Sequence, residues 1–368
     1  MSLTATSKNV VLLLGSRSIK IGYEGAHHPL GTFSVHNFAE PQNYKTEALY
    51  RDHSMDWSKI VCNNTETVTQ NHMKNDLDCF QYLFYPDLSV YDSLDKFRSD
   101  LKIHLRKILT KIFYKVGIPT MNTKVILAID VLFPKIYIET TTDLLIKHFL
   151  MRAIVIVPTP LMVTLASGSS SGLVIDIGWS VTKINVVYDN RLLENFSKIT
   201  NRAGRMIHYQ LLSVLESRNY DLSKITFKDI EHAIMELSSI TDNESRLVSC
   251  GPYFLHANLL TNAIKTVLVP EENTLCESDD RYIEDLAIEL IEQLPIDLKN
   301  IIAKRTIITG GFSNIKGFNQ MIIGRIVSLN RNLESIDTIG AWCGASLYST
   351  FLKQLKKKNH LWEIRKEE

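Results

Sequence analysis

The sequence predicts an α/β protein of two related domains that face each other across a cleft. Three observations carry the prediction. The chain has 368 residues, more than one hydrophobic core usually supports. An apolar run, a Gly/Ser turn and a second alternating run fill residues 10–23, and the pattern returns at 172–188. That period is far too long for a solenoid, so it reads as a duplicated domain. Residues 124–132 read as a strand, 139–150 as a helix and 153–157 as a buried strand, which together make the crossover unit of a parallel sheet.

In chain order, the first hairpin joins its two apolar runs through Gly15, Ser16 and Arg17. Residues 26–86 are polar and weakly patterned, so a reduced small subdomain is expected over about 26–90. Leu94, Phe97, Leu101, Leu105, Ile108 and Ile112 recur at three- and four-residue steps. They predict one apolar helix stripe, with Asp92 or Ser93 as cap and Gly117 as stop. Superposing Gly15 on Gly178 also sets Lys20 on Lys183 and Ile21 on Ile184, which ties the second hairpin to the first. Helices are expected over 227–237, 282–293 and 339–355, and residues 306–311 read as a strand entering a glycine turn. No low-complexity linker separates the halves, so they pack closely. The expected domains are 1–160 plus 340–368, and 161–339.

Composition excludes several functions. Lys plus Arg number 41 and Asp plus Glu 40, for a net charge of +1. Phosphate-backbone recognition needs a clear basic surplus, so nucleic acid is not an expected partner. Cys62, Cys79, Cys250, Cys276 and Cys343 are scattered and form no C-x-x-C pair, which predicts reduced thiols. Residues 1–9 lack the pattern of a signal peptide and no apolar run reaches transmembrane length. A cytoplasmic protein without direct membrane binding is expected.

A Gly/Ser hairpin tip can cradle phosphate, because glycine lets backbone approach closely and the N–H groups turn inward. One tip is a weak signal; two related tips followed by a strand and a double glycine are a specific one. Through Gly15-Ser16, Asp176-Ile177-Gly178 and Thr309-Gly310-Gly311 the chain resembles actin and the actin-related proteins. Ala166-Ser167-Gly168, Gly204-Arg205 and the W-x-G-x-S run at Trp342–Ser346 fit the same family. Residues 26–86 and 241–278 are not explained by it. The resemblance implies the actin-like fold, two ribonuclease-H-like domains around a nucleotide cleft. It also implies ATP or ADP held by Gly15, Ser16, Lys20, Asp176, Gly178, Thr182, Gly310, Gly311 and Phe312.

Departures from the family pattern qualify that expectation. Leu13 stands where active members carry the aspartate that holds the water shell of Mg²⁺, and Thr159 replaces the glutamine that positions water. Arg17 replaces a glycine and would crowd the loop, Trp179 replaces a second aspartate, and Glu231 and His232 fall near the adenine- and ribose-holding Lys and Glu. Phosphoryl transfer depends on metal, positioned water and charge placement. The expectation is therefore a site that leaves bound ATP or ADP possible, with no catalytic metal and no enzyme activity.

Within the family, residues 124–134, Val157-Pro158-Thr159-Pro160-Leu161-Met162 and Leu294-Pro295-Ile296-Asp297-Leu298-Lys299 resemble the ten/eleven class of actin-related proteins. That class caps the pointed end of the dynactin minifilament. The implied partners are the filament-forming actin-related protein one, other pointed-end subunits of dynactin and, through them, dynein adaptors, in the cytoplasmic cytoskeleton. Two alternatives stand beside it: a nuclear actin-related protein of a chromatin-remodelling complex, and an ATPase or sugar kinase. Blander readings of single residues are also open. The glycines could serve turns alone, Asp176 could be structural, Lys20 and Lys183 could be solvated strand-end charges, and Trp179 and Trp342 could be core aromatics.

Overall fold

The computed structural model describes residues 9–35, 93–130, 132–225, 227–237, 246–269, 280–329, 333–354 and 363–365. Most of the small subdomain expected over 26–90 lies outside them. The first half contains β1 (Val10–Leu14), β2 (Ser18–Tyr23), β3 (Gly31–Ser34), α1 (Leu94–Val116), β4 (Lys124–Ile129), α2 (Lys135–Asp143), β5 (Ala153–Pro158) and α3 (Thr159–Ala166). The second contains β6 (Gly172–Ile177), β7 (Thr182–Tyr188), β8 (Arg191–Thr200), α4 (Gly204–Ser217), α5 (Phe227–Glu236), β9 (Leu247–Cys250) and β10 (Tyr253–His256). It continues through α6 (Ala257–Leu268), α7 (Ile283–Gln293), α8 (Ile296–Ala303), β11 (Thr306–Gly310) and α9 (Phe318–Leu329). α10 (Ala341–Gln354) and β12 (Glu363–Arg365) end the described chain.

Two sheets carry the duplication. One has the order β12-β5-β4-β1-β2-β3, the other β11-β6-β7-β8. In each, a hairpin is flanked by a third antiparallel strand on one side and a parallel strand on the other: β4-β1-β2-β3 matches β11-β6-β7-β8. A parallel bridge between Thr306 and Ser335 stands where β5 pairs with β4 in the first sheet. Equivalent hairpin positions therefore have equivalent neighbours. Leu13 lies across from Lys20, and Asp176 across from Lys183.

Strand alternation sorts side chains between two layers. Val10, Leu12 and Leu14 face a core closed by Phe97, Leu101, Leu105 and Ile108 of α1. Val11 instead faces Met162 of α3 and Trp342 of α10. On the second sheet, Leu173, Ile175 and Ile177 face helices α4 to α7, whereas Val174 meets Val163 of α3. Helix α3 thus packs into both halves, Met162 toward one and Val163 toward the other. Among the described residues no helix is long and apolar enough to cross a membrane.

The helix stripe expected over 94–112 forms, with two refinements. Ser93 Oγ accepts the Lys96 N–H at 3.2 Å and Gly117 closes the helix at φ 68°, but Leu94 is 66% exposed and the buried face starts at Phe97. The strand expected over 124–132 stops at Ile129, and the following helix starts at Lys135, just after Pro134, rather than at 139. Strand β8 and the β9–β10 hairpin were not expected.

Candidate functional site

The two hairpin turns are closed by the same hydrogen bond. Gly15 N–H donates to Ser18 O at 2.9 Å, and Gly178 N–H donates to Val181 O at 3.2 Å. A Cβ on either glycine would lie 2.9 Å from that same carbonyl oxygen, which is why both tips need glycine. Beside the second tip, α4 begins: its Gly204 and Arg205 N–H groups donate to Gly178 O and Trp179 O at 3.0 and 2.7 Å. The first amides of that helix are thereby satisfied by the turn. Phe312 packs into the same corner, and a Cβ on Gly204 would lie 2.9 Å from its ring and 3.2 Å from Trp179.

Gly310 ends β11 at φ 109°, ψ −177°, a region essentially confined to glycine. Its missing Cβ leaves room for Ile177 O, which a methyl group would meet at 2.1 Å. Gly311 has open space where its Cβ would be. Of the residues expected to hold a nucleotide, Gly15, Ser16 and Lys20 belong to the first hairpin, Asp176 and Gly178 to the second, and Gly310, Gly311 and Phe312 to the segment paired with it. Thr182 is placed differently: it is fully buried and its hydroxyl donates to Arg202 O at 2.6 Å, so that proton serves the fold.

Charges gather between the two sheets. Lys183, 6% exposed, is buried rather than solvated, because its Nζ meets Asp130 Oδ2 at 3.1 Å. Asp130 follows β4, so this pair joins the two halves. Asp176 lies near enough to feel Asp130, Lys183 and Lys20. Burial, reinforced by the negative charge of Asp130, pushes its carboxyl up to about 6, against the opposing pull of the two lysines. Leu13 brings no second carboxylate to the equivalent strand position. Among the described residues no group of three His, Cys, Asp or Glu side chains gathers as metal ligands.

Arg17 does not crowd its own turn. Its side chain leaves the tip and forms a two-point bond with Glu231 of α5, Nε to Oε1 at 2.9 Å and a terminal guanidinium nitrogen to Oε2 at 2.6 Å. The guanidinium also lies 5.1 Å from the centre of the Trp179 ring. His208 of α4 meets the same Trp179 ring edge-on, 5.6 Å away at 80°. Burial and then Arg17 lower the His208 pKa to about 3, so it is neutral. His232, by contrast, is on the outside. Trp342 is a core aromatic: 2% exposed, with its indole N–H donating to Val11 O at 3.1 Å.

Sequence reasoning missed the roles of Asp130 and the Arg17–Glu231 pair. Asp130 had one available signal, a lone carboxylate at the C-terminal end of a parallel strand, where open α/β sheets place ligands.

The actin family model matches residues 4–249, more than half of the chain. The chain belongs to the actin family. Its mixed α/β architecture of two sheets with matching hairpins is the actin-like two-domain fold. Among curated proteins this actin-family chain is similar to actin-related protein 2 of Saccharomyces cerevisiae, 20% identical over 220 residues. That alignment covers 54% of this chain and 54% of the yeast protein, so the chain spans about half the length of the curated relative it matches. The residues present are compatible with a nucleotide's phosphates: Gly15 and Gly178 bring no side chain to the two turns, Lys20 would supply positive charge, and Gly311 has open space at its Cβ position. A hydrated catalytic metal fits less well, because Leu13 is apolar and Asp176 holds its proton up to about pH 6.

Proposed function

We propose that this chain is a structural actin-related subunit that terminates an actin-like filament at its pointed end, as a member of the dynactin pointed-end complex. The observation that carries the reading is the unequal pair of hairpins. The strand position that holds Asp176 in one hairpin holds Leu13 in the other, facing Lys20, so the cleft keeps its shape while one of its two carboxylates is gone. Any nucleotide, ATP or ADP, would be held by Gly15, Ser16, Lys20, Asp176, Gly178 and Gly311 as part of the fold, supplying charge that Lys20 balances. Gly15 and Gly178 shape the two tips around its phosphates, and Lys20 holds the positive charge beside them.

Capping follows from heterologous assembly. A subunit that docks one face on the last protomer and cannot receive another ends the filament. The partners of this reading are the filament-forming actin-related protein one, other pointed-end subunits and, through them, dynein adaptors. The choice of branch is supported by the segments at 157–162 and 294–299. The test is affinity purification of the tagged chain from its own cells followed by mass spectrometry. Recovery of dynactin subunits is expected. Chromatin-remodelling subunits in their place would overturn the assignment, and phosphate release at actin-like rates, abolished by Asp176→Ala, would overturn the non-hydrolysing role.

A further inference from the structure

Arg17 and Glu231 are 214 residues apart in sequence and belong to different halves of the molecule. Arg17 stands on the turn between β1 and β2, Glu231 on α5. Their side chains are 9% and 25% exposed, and two roughly parallel bonds join the guanidinium fork to the carboxylate. That geometry separates the pair from ordinary surface ion pairs, which contribute little. The same guanidinium rests against Trp179 on the turn between β6 and β7, so one side chain ties three elements: both hairpin turns and α5.

The base from which it reaches is fixed. Arg17 O accepts the Val35 N–H at 2.9 Å, and Ser34 Oγ lies 3.4 Å from the same oxygen, which pins the turn to the end of β3. On the far side, α5 is anchored by Ile230, Ala233 and Ile234 in the larger core. The pair therefore spans two supported elements, and it can hold them at a set separation. Two-lobed proteins commonly close around a ligand; here a bond within the chain acts across the same gap.

We propose that the Arg17–Glu231 pair is a latch that keeps the two hairpin turns and α5 together, setting the closed state of the cleft from within the chain. The Lys183–Asp130 pair adds a second tie between the halves, buried where β7 leaves its turn and β4 ends, whereas the latch bridges the tips themselves. Opening and closing would then depend on a bond that a single charge change can remove. The proposal is independent of the filament-end reading, because it concerns the purified chain without partners.

Amide hydrogen exchange on the full chain tests it. Glu231→Gln should speed exchange in residues 15–18 and 178–182 on the order of tenfold, the ratio given by about 1.4 kcal/mol, while amides of α1 stay unchanged. Arg17→Lys keeps the charge but loses the two-point bond, and should speed the same segments by a smaller factor. The exchanged pair, Arg17→Glu with Glu231→Arg, should recover part of the lost protection, which a purely steric role for either side chain would not allow. Rates in both turns that remain within about twofold of the wild type in Glu231→Gln and Arg17→Lys alike would overturn the latch.

Discussion

Lys183 Nζ lies 3.1 Å from Asp130 Oδ2, and the two side chains are only 8% and 11% exposed. The pair connects the second hairpin to the end of a strand in the other sheet. Removing one partner leaves a charge buried without compensation, which typically costs about 3–5 kcal/mol. Lys183→Met should therefore lower stability by that order in urea denaturation, and Lys183→Met with Asp130→Asn should cost clearly less than the sum of the single changes. Additive costs would show that the pair is not coupled.

Asp176 makes the fold less stable at neutral pH. Its carboxyl titrates near 6 when folded, against an ordinary value of 3.8. Between these two values the folded protein binds a proton that the unfolded chain has released. Its contribution to stability falls as pH rises through that window, and the cost persists above it. Asp176 is only partly closed off from solvent, so the cost belongs at the low end, roughly 2 kcal/mol. Asp176→Asn should recover about that much at pH 7 in denaturant titrations and should flatten the trend over the window.

Two histidines pull the other way. Burial, aided by Lys107 and Arg17 respectively, lowers His104 to about 4 and His208 to about 3. Below the ordinary value of 6.5 the unfolded chain takes up protons that these buried rings refuse, so stability falls on acidification from there. With both changed to Gln, lowering the pH from about 6.5 to 5 should raise stability, because the Asp176 trend is then exposed. Thermal melts across that range check the sign.

Adjacent glycines should behave in opposite ways. At Gly310 a methyl group would meet Ile177 O at 2.1 Å on a backbone with φ 109°. Gly310→Ala should cost about 3 kcal/mol or more, seen as lost soluble yield or a large drop in Tm. At Gly311 a methyl group meets nothing within 4 Å, and Gly311→Ala should stay within about 1 kcal/mol of the wild type. Gly344, whose Cβ would lie 1.9 Å from Met162 O, should resemble Gly310 and loosen α10 from α3.

Much of this architecture was legible because its signals are local. Apolar runs around Gly15 and Gly178 gave both hairpins, and the cap residues Ser93 and Gly117 bounded α1. β8 escaped notice because Arg191–Thr200 is largely half-exposed and alternates poorly; pairing with β7 makes it a strand. The four-residue strands β9 and β10 are too short to leave a pattern. In the candidate site, glycine positions were readable from backbone demands, whereas charge pairing was not. Lys183 looked like a solvated strand end until Asp130 arrived from another strand, and nothing local to Arg17 announces Glu231. Leu13 could be read from family resemblance alone, since an apolar residue in an apolar run carries no signal of its own.

The bond from Trp342 to Val11 joins residues 331 positions apart, and β12 pairs with β5 from still further along the chain. During synthesis, the strands of the first sheet therefore leave the ribosome well before the helix and edge strand that complete them. The second sheet depends on α10 far less, since β6, β7, β8 and β11 emerge before it, and Ala341 at the start of α10 packs against the Val174, Val187 and Ile307 face. Vectorial translation should let the later-encoded half mature first, while Val11, Ile126, Val155 and Met162 wait uncovered, a natural landing place for a chaperone on the nascent chain.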